Sequence, residues 1–129
     1  MKKKILLLII IVFAGTSMFY AQKQEGQAQK QQFIYILHLE KSMQDSTSWT
    51  PEKMKIVDAH FARLQKMLGD GKLILAGKTS TPLDKTFGIV IYEAGSFEEA
   101  KAIAESDPAV KEKIMTVEVY PYSVALMRK

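Results

Sequence analysis

Two histidines and no cysteine set the limits of the chemistry this chain can do. His60 lies in Ala59-His60-Phe61-Ala62-Arg63-Leu64-Gln65, and His38 lies in the apolar run from Phe33 to Leu39. An imidazole with its unperturbed pKa of about 6.5 can take or give a proton near neutrality. Asp107 stands directly before Pro108. A carboxylate there can cap the turn that Pro108 begins. Beside an imidazole it would instead fix the tautomer and favour the protonated form. His60 in turn has the plainer reading of a histidine at the edge of a core or a subunit seam. Other chemistries find no support. The chain has no thiol, no Gly-x-Ser-x-Gly elbow and no His-Glu-x-x-His. Histidines on two separate elements make a poor metal set. Gly77-Lys78-Thr79 has the ending of a phosphate loop, but Gly71 is one residue too distant, the residues between read as a strand, and Pro82 follows where a helix should open.

The elements that must position these groups follow from periodicity and punctuation. Phe33 to Leu39 alternates as a strand, with Phe33, Tyr35, Leu37 and Leu39 on one face and Ile34, Ile36 and His38 on the other. Both faces are largely apolar, which calls for cover on both sides. Lys41 to Thr50 is a polar loop. Thr50 caps a helix with Pro51 in its first position, and Trp49 and Met54 hold the staple positions across that cap. The helix runs to about Leu68. Met54, Val57, Phe61, Leu64 and Leu68 form the expected buried stripe, with His60 on a shoulder beside Ile56 and Met67. Gly69 or Gly71 ends it.

Lys72 to Ala76 reads as a short strand, Gly77 to Thr86 as a loop, and Phe87 to Ala94 as a strand apolar on both sides. Ser96 and Glu99 form a capping box for a second helix, which stops where Asp107 meets Pro108. A turn through Val110 and Ile114 leads to a last strand, expected over Thr116 to Met127, and Pro121 marks it as an edge strand. The order β-α-β-β-α-β predicts an α+β, ferredoxin-like layer: a four-stranded antiparallel sheet with both helices on one face. The other face would be an apolar surface too large for a monomer, so a homodimer with the two open sheet faces packed together is expected.

The first 31 residues stand outside that plan. Lys2, Lys3 and Lys4, then the apolar run from Ile5 to Phe13, then Ala14, Gly15, Thr16 and Ser17 have the order of an export signal. Residues 1–21 are read as a signal peptide with cleavage after Ala21, residues 22–31 as a disordered spacer rich in Gln and Lys, and residues 32–129 as the domain. The apolar run is short for a membrane span. Retained, it would act as a tether; removed, it leaves no span and implies a periplasmic or secreted domain. Eighteen basic residues face fourteen acidic ones, and without the three leader lysines the surplus falls to about +1. That leaves no concentrated basic face for nucleic acid.

The segment Ala59-His60-Phe61-Ala62-Arg63-Leu64-Gln65, with Asp70-Gly71-Lys72-Leu73 and Ala76-Gly77, resembles the helix–turn–strand of the YciI-like, or YCII-related domain, family. Ser96-Phe97-Glu98-Glu99-Ala100, Ser106-Asp107-Pro108 and Val117-Glu118-Val119-Tyr120-Pro121 resemble its second half. The resemblance spans about Phe33 to Tyr122. It implies the dimeric α+β barrel, and it implies that His60 and Asp107 are the active-site pair. Characterised relatives handle small ring compounds without an obligatory cofactor. This chain departs from them in having Val57 where an Arg commonly precedes the histidine by three residues, and Lys78 where a Pro commonly follows Gly77. Two functions are therefore expected as alternatives: a cofactor-independent enzyme using a His60–Asp107 acid–base pair on a small organic molecule, or a non-catalytic ligand-binding or structural domain of the same fold.

Overall fold

The computed structural model describes residues 30–128. The expected signal peptide and nearly all of the expected spacer lie outside the described residues. The elements are β1 (Gln31–Leu39), α1 (Pro51–Gly69), β2 (Leu73–Lys78), β3 (Phe87–Ala94), α2 (Phe97–Glu105), the one-turn α3 (Pro108–Lys111) and β4 (Met115–Pro121). The four strands form one antiparallel sheet in the order β2-β3-β1-β4. This is the ferredoxin-like α+β arrangement the element order predicts. β1 and β3 are central and the Pro-bearing β4 is at an edge.

Local chemistry explains most boundaries. The Thr50 hydroxyl accepts from the Lys53 amide and Pro51 occupies the first turn of α1. Gly71 supplies a positive φ of 69° just past α1, and the amides of Gly71 and Lys72 donate to Leu68 and Met67 carbonyls. In α2 the Ser96 hydroxyl accepts from the Glu99 amide, while the Glu99 carboxylate accepts from the Gly95 amide.

The core lies between one sheet face and the helices. Phe33, Tyr35, Leu37, Val90 and Tyr92 from the sheet pack with Leu64 and Met67 of α1 and Ala100 and Ala104 of α2. A second cluster, Met43, Ala109 and Ile114, closes the end of the layer near α3 and takes in Trp49, whose indole N–H donates to the Met43 carbonyl at 3.2 Å. The opposite sheet face carries a ladder of apolar neighbours: Ile34 beside Ile91 and Tyr120, Ile36 beside Ile89, and Leu75 beside Ile91. Among the described residues no helix is long and apolar enough to cross a membrane.

Three expectations are corrected. First, of the expected α1 stripe Leu64 is buried and Val57 half-buried, but Met54, Phe61 and Leu68 are about half exposed; the helix turns His60 and Met67 inward with Leu64, and Ile56 and Arg63 are half-buried beside them. The helix carries two apolar stripes, and the one with the polar residues turns inward because Asp107 waits beneath it. Second, β4 stops at Pro121 instead of reaching Met127. Proline offers no N–H to the ladder, and the chain leaves through two last bonds, from the Tyr122 amide to the Gln32 carbonyl and from the Val124 amide to the Gln32 side chain. Third, β2 runs on to Lys78, past an irregular register between Leu73 and Leu75.

Candidate functional site

Pro108 governs the position of Asp107. A residue before proline is pushed to extended backbone, and Asp107 has φ −62° and ψ 133°. Extended geometry is also what an N-cap requires. Its Oδ1 accepts from the Ala109 amide at 2.9 Å and so caps α3. Its Oδ2 is left to face α1, where it lies 2.7 Å from His60 Nδ1. The two readings of Asp107, cap and imidazole partner, are both true of one side chain, one oxygen to each.

Arg63 completes the junction. Three residues beyond His60 on the same side of α1, it places Nη1 3.4 Å from Asp107 Oδ2, and its Nη2 donates to the Ile103 carbonyl at 2.6 Å and the Ser106 hydroxyl at 2.8 Å. The guanidinium thus ties the end of α2 to α1. Asp107 is fully buried and His60 is 9% exposed. Burial pushes the Asp107 carboxyl up, but the His60 hydrogen bond and charge, the Ala109 amide and Arg63 together outweigh it and hold the group below the ordinary carboxylate value. With the carboxylate accepting, His60 Nδ1 carries the hydrogen. In the neutral imidazole Nε2 is then the nitrogen with the free lone pair, and it has no hydrogen-bond partner among the described residues.

Tyr35 lies under this group. Its hydroxyl is buried without a hydrogen-bond partner among the described residues. Burial, and then the charge of Asp107, push its phenol well above the usual range. Its ring packs edge-on against Tyr92 at 5.2 Å, and the Tyr92 hydroxyl donates to the Ala100 carbonyl at 2.7 Å.

His60 forms part of the wall of a cavity of about 420 Å³ between α1 and one end of the sheet. Val57, Phe61 and Leu64 line it from α1, Leu37 and Leu39 from β1, and Met115 from β4. The remaining wall comes from the end of β2 and the start of β3, including Lys78, Phe87 and Gly88. A mostly apolar concavity of this size with a few polar groups is the usual form of a small-molecule site. His38 also borders the cavity, with its ring 5.9 Å from that of Phe87, although strand alternation puts its side chain on the face opposite Leu37. Among the described residues no group of three or more His, Asp or Glu side chains is placed to hold a metal ion.

The structure therefore brings His60 and Asp107 together and puts His38 at the rim of the same space. Arg63, Tyr35 and Lys78 were not singled out for the site from the sequence. The spacing of Arg63 from His60 was the available signal; nothing in the sequence marks the Tyr35 hydroxyl, which becomes notable only once its surroundings are known.

The YCII-related domain profile matches residues 33–123. No curated protein matches the chain. Among solved structures, the 5-chloro-2-hydroxyhydroquinone dehydrochlorinase of Burkholderia phenoliruptrix AC1100, in complex with 2,5-dihydroxybenzoquinone, is similar to it with a TM-score of 0.50 and 22% identity, over 70% of this chain and 93% of that one. At that identity the likeness is one of fold. The profile match reaches from Phe33, within β1, past the end of β4, so it takes in every helix and all but the first two residues of the strands described above, His60 and Asp107 with them, and the chain belongs to the YCII-related domain family.

Proposed function

We propose that this domain is a cofactor-independent acid–base enzyme acting on a small, ring-sized organic molecule, with His60 as the proton-transfer group and Asp107 as the group that orients it. The observation that carries this reading is the 2.7 Å contact between His60 Nδ1 and Asp107 Oδ2 in the wall of an apolar cavity of about 420 Å³. Nε2 would accept a proton from a C–H or O–H of the bound molecule, the Asp107 carboxylate would stabilise the resulting imidazolium, and the same proton would return to another atom of the substrate or to its leaving group. Such a transfer typically contributes about 10²–10⁴-fold. Isomerisation and elimination fit that step; hydrolysis fits it when Nε2 takes the proton from a water that attacks the substrate and passes it to the leaving group. The structural neighbour is named as a dehydrochlorinase and holds a dihydroxybenzoquinone, which supports a cyclic substrate. The homodimer through the open sheet face, and export to the periplasm or medium, belong to the same proposal; the apolar ladder of Ile34, Ile36, Ile89 and Ile91 supports the first and the leader sequence the second.

A second reading has its own observation. Asp107 also caps α3 and meets Arg63, so the cluster can serve purely as a clamp between α1 and the α2–α3 junction in a binding domain without turnover. Substituting His60 with Ala separates the two. Loss of turnover, on any substrate found in a screen of small ring compounds, with the fold intact by circular dichroism, supports the enzyme. An unchanged rate ends the role given to His60, and no turnover of any compound in the screen leaves the clamp.

A further inference from the structure

The end of the sheet says more about the ligand than His60 alone. Leu37 is the cross-strand neighbour of Gly88, and Gly88 is the neighbour of Lys78, so the three form one row on the helix-covered face. Gly88 contributes no side chain. A Cβ there would come into ordinary contact with the Gly77 carbonyl oxygen at 3.5 Å and the Leu37 side chain at 3.8 Å, and Gly88 lines the cavity between Leu37 and Lys78. Lys78 is in no ion pair among the described residues. The walls around it are mostly apolar and include Phe61 of α1, an aromatic surface that suits a flat ring. Asp58 is the one acidic residue in the wall, on the exposed side of α1. Lys78 is exposed at the edge of the cavity, and an ammonium there attracts an anion on the modest scale of a surface ion pair.

We infer that the cavity takes a small ring compound carrying an anionic oxygen substituent, a carboxylate or a phenolate, and that Lys78 is the residue that selects for this charge. The inference rests on the acid–base reading of His60 and names the kind of molecule that would reach it. The ring lies over Gly88 between Leu37 and Leu64, its anionic group meets the Lys78 ammonium, and its body extends toward His60.

The test titrates the ¹⁵N-labelled protein with benzoate and with benzamide, which share a shape and differ in charge. Both should shift the amides of Gly88 and its neighbours. Benzoate should bind about fivefold more tightly than benzamide, the scale of an exposed ion pair, and added salt should weaken benzoate alone. Lys78→Gln should erase the preference without changing benzamide binding. Asp58→Asn should strengthen benzoate about twofold. Equal binding of the two probes, or an equal loss of both in Lys78→Gln, overturns this inference and leaves the acid–base reading standing. No shift at the cavity from either probe overturns both.

Discussion

Asp107 Oδ2 and His60 Nδ1 meet at 2.7 Å across 47 residues of chain, while the other oxygen of the same carboxylate caps the helix that Asp107 begins. One buried side chain therefore serves local structure and the candidate chemistry together, and substitutions can pull the two apart.

Asp107→Asn keeps an oxygen for the Ala109 amide but loses the charge and the acceptor facing His60. Turnover should fall by about 10²-fold or more, because the imidazole is no longer held in the tautomer that leaves Nε2 free. Asp107→Ala should in addition lose about 3 kcal/mol of stability, since it removes the cap and strands Arg63 and His60 without their buried partner. Steady-state kinetics and urea denaturation of the two variants check this; a full rate in the Asn variant would sink the orienting role.

Acid should loosen the fold through the same group. The folded Asp107 carboxyl lies below its ordinary value of 3.8, so the unfolded chain binds its proton first as pH falls. The stability it contributes is complete above that ordinary value and is lost as pH drops through the folded one. Urea midpoints measured from pH 6 down to pH 2 should fall more steeply for the natural protein than for Asp107→Asn.

Two tyrosines with touching rings should respond oppositely to losing their hydroxyls. Tyr35→Phe removes a buried hydroxyl that lacks a partner among the described residues, so it should leave stability unchanged or raise it by up to about 1 kcal/mol. Tyr92→Phe breaks the 2.7 Å bond to the Ala100 carbonyl and leaves that acceptor unpaired, costing about 1 kcal/mol or more. Denaturation midpoints of the pair give the sign of each.

The proposed homodimer makes a separate demand. Ile36 and Ile89 are neighbours near the middle of the open sheet face. Ile36→Lys places a charge in that surface and should convert a dimer to a monomer at micromolar concentration, read by light scattering after size exclusion. A natural protein that is already monomeric under those conditions overturns the dimer.

Much of this was legible in the chain itself. Thr50-Pro51, Ser96 with Glu99 and Asp107-Pro108 are local signals, and each boundary they mark falls within a residue or two of where it was read. The edge position of β4 followed from Pro121. The facing of α1 did not follow, for a physical reason. Hydrophobicity alone ranks Met54, Phe61 and Leu68 above a stripe that contains His60 and Arg63. Burying an imidazole beside a guanidinium is favourable only with a carboxylate opposite, and that carboxylate lies more than forty residues away. Gly88 was silent for the same kind of reason: a missing side chain makes a cavity floor only when its neighbours in the sheet are known.

The divided carboxylate also orders events during refolding. The imidazole cannot acquire its partner until the segment from α2 to α3 has seated beneath α1, so an assembly intermediate with a complete sheet would be inert. Recovery of turnover after dilution from denaturant would then act as a clock for that last seating, and would lag the return of secondary structure.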